Sequence, residues 1–323
     1  MLRKTLILTL LIALLTACAP QATPTVAPVP TDVPAAETVV APTEAASMSM
    51  TYTDGLGREV TLTEAPQRIV SLAPSNTEIL FAVGAGSQVV GRDDFSDFPA
   101  EAASIESVGG SMGEYNVEAI VALNPDLVLA AEINAPELVK QLEDLGLTVY
   151  YLQNPTTLEE MFTNLETVAG LTGHDATELV DSLKARVAAV DEKIAPISAR
   201  PSVFYEIDAS DPTKPWTYGP GSFGDLLIVR AGGFNVGSVS TDAYPQLSLE
   251  QIVTANPSII LLGDAAWGTT PESILERAGW ESIEAVKNNS IFPIDDNLIS
   301  RPGPRLVDGL EALAKLLHPG LFE

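Results

Sequence analysis

The sequence predicts an α/β protein of two similar lobes with parallel sheets and a helical connector between them. Three observations carry this expectation. Short apolar runs alternate with helical segments through most of the chain, the rhythm of a parallel sheet covered on both faces. One segment occurs twice without a gap: Asn116 to Leu129 matches Ser248 to Leu261, with Glu118 on Glu250 and Pro125 on Pro257. Each copy has a capping residue, an acid two positions on, a short helix, Asn-Pro and an apolar strand. Between the copies, Ala176 to Ile194 forms an amphipathic helix with Leu179, Leu183, Val187 and Val190 on its apolar stripe, stopped by Pro196.

The N-terminus comes first. Arg3 and Lys4 precede the apolar run Leu6 to Leu15, which is too short for an ordinary spanning helix and reads as a secretory signal. Leu15-Thr16-Ala17-Cys18 resembles a lipobox, in which cleavage before the cysteine leaves a thiol that carries diacylglycerol. Residues 1–17 are thus expected to be removed and Cys18 to anchor the chain, extracytoplasmically, to the membrane. Cys18 is the only cysteine, so no disulfide can form within the chain. Across 18–50, prolines 20, 24, 28, 30, 34 and 42 punctuate Ala, Thr and Val with no Lys or Arg, a composition suited to a semi-extended tether.

The N-terminal lobe is expected over 51–172. Its strands are Arg68–Ala73, Val89–Gly91, Leu127–Ala130 and Thr148–Leu152; its helices follow Pro74–Glu78, span Val117–Leu123 and Glu137–Leu145, and end with Leu158–Leu171. Residues 173–197 hold the connecting helix. In the C-terminal lobe, 198–323, strands are read at Val203–Ile207, Ile259–Leu262 and Ile291–Ile294. Helices are read at Phe223–Ala231, Leu249–Thr254, Glu272–Arg277 and Pro304–Leu317.

Composition narrows the function. The chain has 323 residues, long enough for two domains, and 46% of them are hydrophobic, enough to build cores. A formal net charge of −26 argues against nucleic acid, whose phosphates need a basic surface. No P-loop or G-x-S-x-G occurs, and His174 and His318 stand far apart, so no spacing supports a hydrolase of the cell envelope. With no thiol in the folded part, no metal site is expected. Gly219 to Gly224 fits G-x-G-x-x-G but lies too far beyond the preceding strand for a dinucleotide turn; Ser222 is read as a helix cap.

Aromatic residues collect in loops: Phe95, Phe98, Tyr115, Trp216, Tyr218, Tyr244 and Trp267. Loops at strand carboxyl ends are where open α/β sheets bind ligands. Trp280 is read as packing. Arg301 and Arg305 flank Pro-Gly-Pro where the last helix opens, a placement suited to an anionic or amide-rich ligand. Glu118 and Glu250 each complement a helix dipole. As a matched pair they also suggest two acidic knobs for a two-fold partner.

The motifs Gln67 to Leu80, Asp94 to Pro99, Asn116 to Leu129, Trp216 to Gly219 and Arg301 to Arg305 appear in an order that resembles the binding proteins of ABC importers for vitamin B12, iron-siderophores and haem. The resemblance covers about 53–318. It implies two Rossmann-like lobes joined by a single long rigid helix, with a small molecule captured between them by a monomer that is not an enzyme and carries no cofactor. The cobalamin binders look most similar: Phe95 and Trp216 match cleft aromatics and Arg301 a ligand-contacting arginine. Glu118 and Glu250 match acids that meet arginines of the importer's transmembrane subunits. The segment Gly109 to Tyr115 departs from those binders, which carry a Trp there, so haem and ferric siderophores stay open as ligands.

Overall fold

The computed structural model describes residues 49–322. The expected signal segment, Cys18 and nearly all of the tether lie outside them. Strands β1 (Met50–Thr53) and β2 (Glu59–Leu62) form an antiparallel hairpin. There follow β3 (Ile69–Ser71), α1 (Pro74–Ala82), β4 (Val89–Arg92), α2 (Val117–Ala122), β5 (Leu127–Ala131), α3 (Pro136–Asp144), β6 (Val149–Leu152) and α4 (Leu158–Thr172). Helix α5 (Thr177–Ile194) leads to the second sheet. Its elements are β7 (Ser202–Glu206), α6 (Phe223–Arg230), β8 (Phe234–Asn235), α7 (Leu249–Ala255), β9 (Ile259–Leu262), α8 (Pro271–Leu275), α9 (Glu284–Lys287), β10 (Ile291–Pro293), α10 (Asn297–Ser300) and α11 (Leu306–Leu317).

Two parallel sheets result, ordered β4-β3-β5-β6 and β10-β9-β7-β8. In each the first strand lies between the second and the third, and the fourth takes the far edge. The duplication visible in the sequence therefore extends to strand order. Its local chemistry is duplicated too. Asn116 caps α2 by accepting from Ala119 N at 3.0 Å, and Ser248 caps α7 in a reciprocal box with Gln251. Asn124 and Asn256 both sit at φ 45°, in the left-handed region that Asn tolerates, and the proline after each prevents the helix from continuing.

Strand residues alternate between cores. Leu127 and Leu129 join a central cluster, while Val128 and Ala130 face an outer layer with Ile120 and Leu142. In the second lobe Val203 and Tyr205 face the centre, and Phe204 packs outward against Trp280 at 6.0 Å between ring centroids. Both faces of each sheet are thus buried. Trp280 packs as the sequence suggested, being 1% exposed.

The central cluster runs without a break from β3, β5 and α4 through α5 into α6 and α11. On α5 the buried stripe is Val180, Leu183, Val187, Val190 and Ile194; Leu179 is only half-buried. Ion pairs hold the same helix on its outer side. Arg186 donates to Glu311 Oε1 at 2.8 Å on α11, and Arg230 of α6 donates to Asp191 at 2.8 Å. The connector is therefore packed into both lobes along its length.

The hairpin, β8, α9 and α10 are absent from the expected elements. The last three span two to four residues, too few to show a period. The hairpin turn is fixed by Asp54, whose carboxylate accepts from the Leu56 and Arg58 amides at 3.0 and 2.9 Å. Ser222 caps α6, accepting from Asp225 N at 3.2 Å, as the sequence suggested.

Candidate ligand-binding cleft

A cavity of about 540 Å³ opens between the lobes. On one side it is walled by the carboxyl ends of the first sheet: Ala73 and Pro74 after β3, Asp93 and Phe95 after β4, Ala131 and Ile133 at β5. On the other side stand Asn297, Ser300 and Arg301, beyond β10. This is where parallel sheets bind ligands, because the loops there are free to vary above a fixed scaffold.

Three of the expected ligand residues meet here. Phe95 is 52% exposed with its ring available to the cavity. Tyr115 presents its ring while its hydroxyl is fully engaged, donating to Leu72 O at 2.7 Å and accepting from Asn134 Nδ2 at 2.7 Å. Burial pushes this phenol up to about 12. The Gly109–Tyr115 loop makes the arrangement possible. Gly110 sits at φ 107°, and a Cβ there would lie 2.9 Å from the Tyr115 ring and 3.1 Å from Asp93 Cβ. The Gly109–Tyr115 segment is thus the one that seats Tyr115 beside Asp93.

Arg301 is the third. It is not held for ligand alone. Its Nη1 donates to Glu78 at 3.0 Å and to Asp97 at 2.7 Å, and its Nη2 to Phe95 O at 3.2 Å. Arg305 takes the rest of Glu78, with Nε 2.8 Å from Oε2, and lies over the Phe98 ring at 4.0 Å. It is absent from the cavity wall and ties the two lobes together. Glu78, on α1, is 1% exposed at its side chain. One buried carboxylate of the first lobe therefore holds two arginines of the second. Burial would lower the Arg305 guanidinium, but its bond to Glu78 holds it above its ordinary value. Burial would raise the Asp97 carboxyl, but Arg301 holds it below the usual carboxylate range.

The remaining candidates lie elsewhere. Tyr218 is 2% exposed, packed edge-on against Tyr205 at 4.8 Å, with its hydroxyl donating to Asp296 Oδ1 at 3.1 Å. It stands off the cavity wall, and Tyr244 is the exposed ring beside it. Trp216 is 42% exposed and not part of the cavity wall; its backbone pairs with Asp208 and Gln246. Neither histidine lines the cavity. His174 Nε2 lies 3.3 Å from Gln88 Oε1, and His318 Nε2 lies 3.3 Å from Gly232 O.

Residues 69–298 match the periplasmic binding protein family. The chain belongs to that family. It is 34% identical over 281 residues to the uncharacterized ABC transporter substrate-binding lipoprotein YvrC of Bacillus subtilis, covering 85% of this chain and 87% of that one. It is 30% identical over 283 residues to the cobalamin-binding protein of Halobacterium salinarum, covering 85% and 75%. The apo structure of the periplasmic heme-binding protein RhuT from Roseiflexus sp. RS-1 superposes with a TM-score of 0.70 at 26% identity, over 79% of this chain and 99% of that one.

Two site features of this family member escaped the sequence reading. Glu78 follows the polar run Ser75-Asn76-Thr77 and precedes the apolar Ile79-Leu80-Phe81, so in sequence it reads as an ordinary polar residue early in a helix. Asp93 carried no signal either, since Arg92 and Asp94 beside it make it look like an ordinary polar loop residue. Glu118 and Glu250 are both exposed in the first turns of α2 and α7.

Proposed function

We propose that this chain is the substrate-binding lipoprotein of an ABC importer and captures a corrinoid in the cleft between its lobes. The observation that carries this is the inter-lobe cavity with Phe95, Tyr115 and Arg301 on its walls. Similarity to a cobalamin-binding protein over 85% of the chain points to the ligand class. Phe95 and Tyr115 supply apolar faces for the macrocycle, and Arg301 donates to its polar rim. Trp216 stands outside the cavity wall and serves as a reporter of occupancy. Glu118 and Glu250 dock the protein on the two transmembrane subunits. Cys18, lipidated, holds it on the outer side of the membrane; among the described residues no helix is long and apolar enough to cross one.

The test is titration with cyanocobalamin, hemin and ferric siderophores, read by intrinsic fluorescence. Saturable one-to-one quenching by cyanocobalamin is expected. Tight binding of hemin or a ferric siderophore with none of cyanocobalamin would replace the corrinoid by that ligand. Phe95→Ala should weaken cyanocobalamin about tenfold, since burying an aromatic face is worth about 1–3 kcal/mol. Its thermal midpoint should hardly move, because the ring is half exposed in the free protein.

Anchoring has its own test. Cys18→Ser should leave the protein in the soluble fraction with unchanged ligand affinity, because a chain without acyl groups has no apolar anchor. A variant still found lipidated in the membrane fraction would refute the lipobox assignment.

A further inference from the structure

The charged side chains on the cavity wall are Asp93 and Arg301. Arg301 is already neutralised from behind by Glu78 and Asp97. Arg305, the neighbouring cation, shares Glu78. Two guanidinium groups thus face three carboxyl groups, and the cleft holds no surplus positive charge. A ligand rich in carboxylates or catecholates would enter a site whose cations are already spent.

Asp93 is 2% exposed yet lines the cavity. Its Oδ1 accepts from the Phe95 amide at 2.8 Å, and its Oδ2 accepts from the Ser96 hydroxyl, which lies 2.7 Å from Thr77 Oγ1. A carboxylate offers about four acceptor positions, so two remain. Burial raises this carboxyl above its ordinary value against the pull of Ser96, the Phe95 amide and Arg301. A donor arriving from the cavity would offset that desolvation. Arg301 in turn uses three of its five N–H groups on protein acceptors, leaving donors for a ligand carbonyl. A primary amide carries both complements, an N–H for Asp93 and a C=O for Arg301. A carboxylate satisfies only the arginine and places its other oxygen against Asp93.

We propose that Asp93 is a ligand-binding residue that selects, together with Arg301, for an uncharged, amide-bearing ligand and against its carboxylate counterpart. This rests on the corrinoid reading of the same cavity and adds the group by which the ligand is told apart.

The experiment compares dicyanocobinamide with dicyanocobyrinic acid, in which every peripheral amide is a carboxylate, on wild type and Asp93→Asn. Wild type should prefer the amide form by on the order of 100-fold, and Asp93→Asn should narrow that ratio about tenfold, mainly by binding the acid more tightly. Asn fits the same space and still accepts from the Phe95 amide, so its melting midpoint should not fall. A purely structural role would weaken both corrinoids alike and leave the ratio unchanged. That outcome, or equal binding of both by wild type, overturns the role of Asp93 while the corrinoid reading stands. Binding of hemin with no affinity for either corrinoid overturns both.

Discussion

Glu78→Gln should lower the thermal midpoint by about 10 °C. The wild-type carboxylate is buried and receives Arg301 and Arg305 from the opposite lobe. Removing one partner of a buried ion pair costs about 3–5 kcal/mol; here Arg305 loses its carboxylate and Arg301 keeps only the exposed Asp97. A protein of this size loses about 2–4 °C per kcal/mol. The loss should be nearly insensitive to salt, since buried pairs are screened little. Glu64→Gln, an exposed acid on the same lobe, should shift the midpoint by less than about 2 °C. Arg305→Gln should cost less on top of Glu78→Gln than alone, since both remove the same contact. An unchanged midpoint for Glu78→Gln, measured by calorimetry on the full chain, would show that the Glu78 ion pairs do not help to hold the lobes.

Ligand-dependent uptake should fall about tenfold or more in the Glu118→Ala, Glu250→Ala double variant, with ligand affinity intact. Both acids are exposed in the first turns of equivalent helices, outside the cavity wall. Close charge pairs across interfaces carry coupling of about 1.5–7 kcal/mol, and each 1.4 kcal/mol is a factor of ten. Each helix loses at most about 1 kcal/mol of dipole stabilisation, too little to unfold the protein. Single variants should be impaired less, because one contact still tethers the pair while two fix orientation. Added salt should narrow the gap between wild type and variant. Normal uptake by the double variant with its cognate importer, at limiting ligand, would remove these residues from docking.

The Glu78 expectation shifts what the two arginines are for. Read as sequence, Arg301 and Arg305 form a pair beside a helix start, open to ligand, and substituting Arg301 should leave stability nearly unchanged. In the folded protein their charge is taken up by Glu78, more than 200 residues upstream. Arg301→Ala is therefore expected to lower stability as well as affinity.

The features legible in the chain are local and repeated. Alternation of apolar strands and helices fixed the class, and the two Asn-Pro copies fixed the duplication. The stripe on α5 fixed the connector. These survive because periodicity, capping and turn chemistry act over a few residues and are written in neighbouring positions. Phe95, Tyr115 and Arg301 were legible as cleft residues because loops at strand ends are a consequence of the fold class. Tertiary structure alone decided the rest. Tyr218 and Phe95 are both loop aromatics in sequence, yet one is 2% and the other 52% exposed. Arg305 ties the lobes through Glu78, and Asp93, beside an indistinguishable Asp94, became the buried carboxyl of the cleft. Burial and charge pairing depend on which distant segments share a volume, and no window of sequence contains both partners.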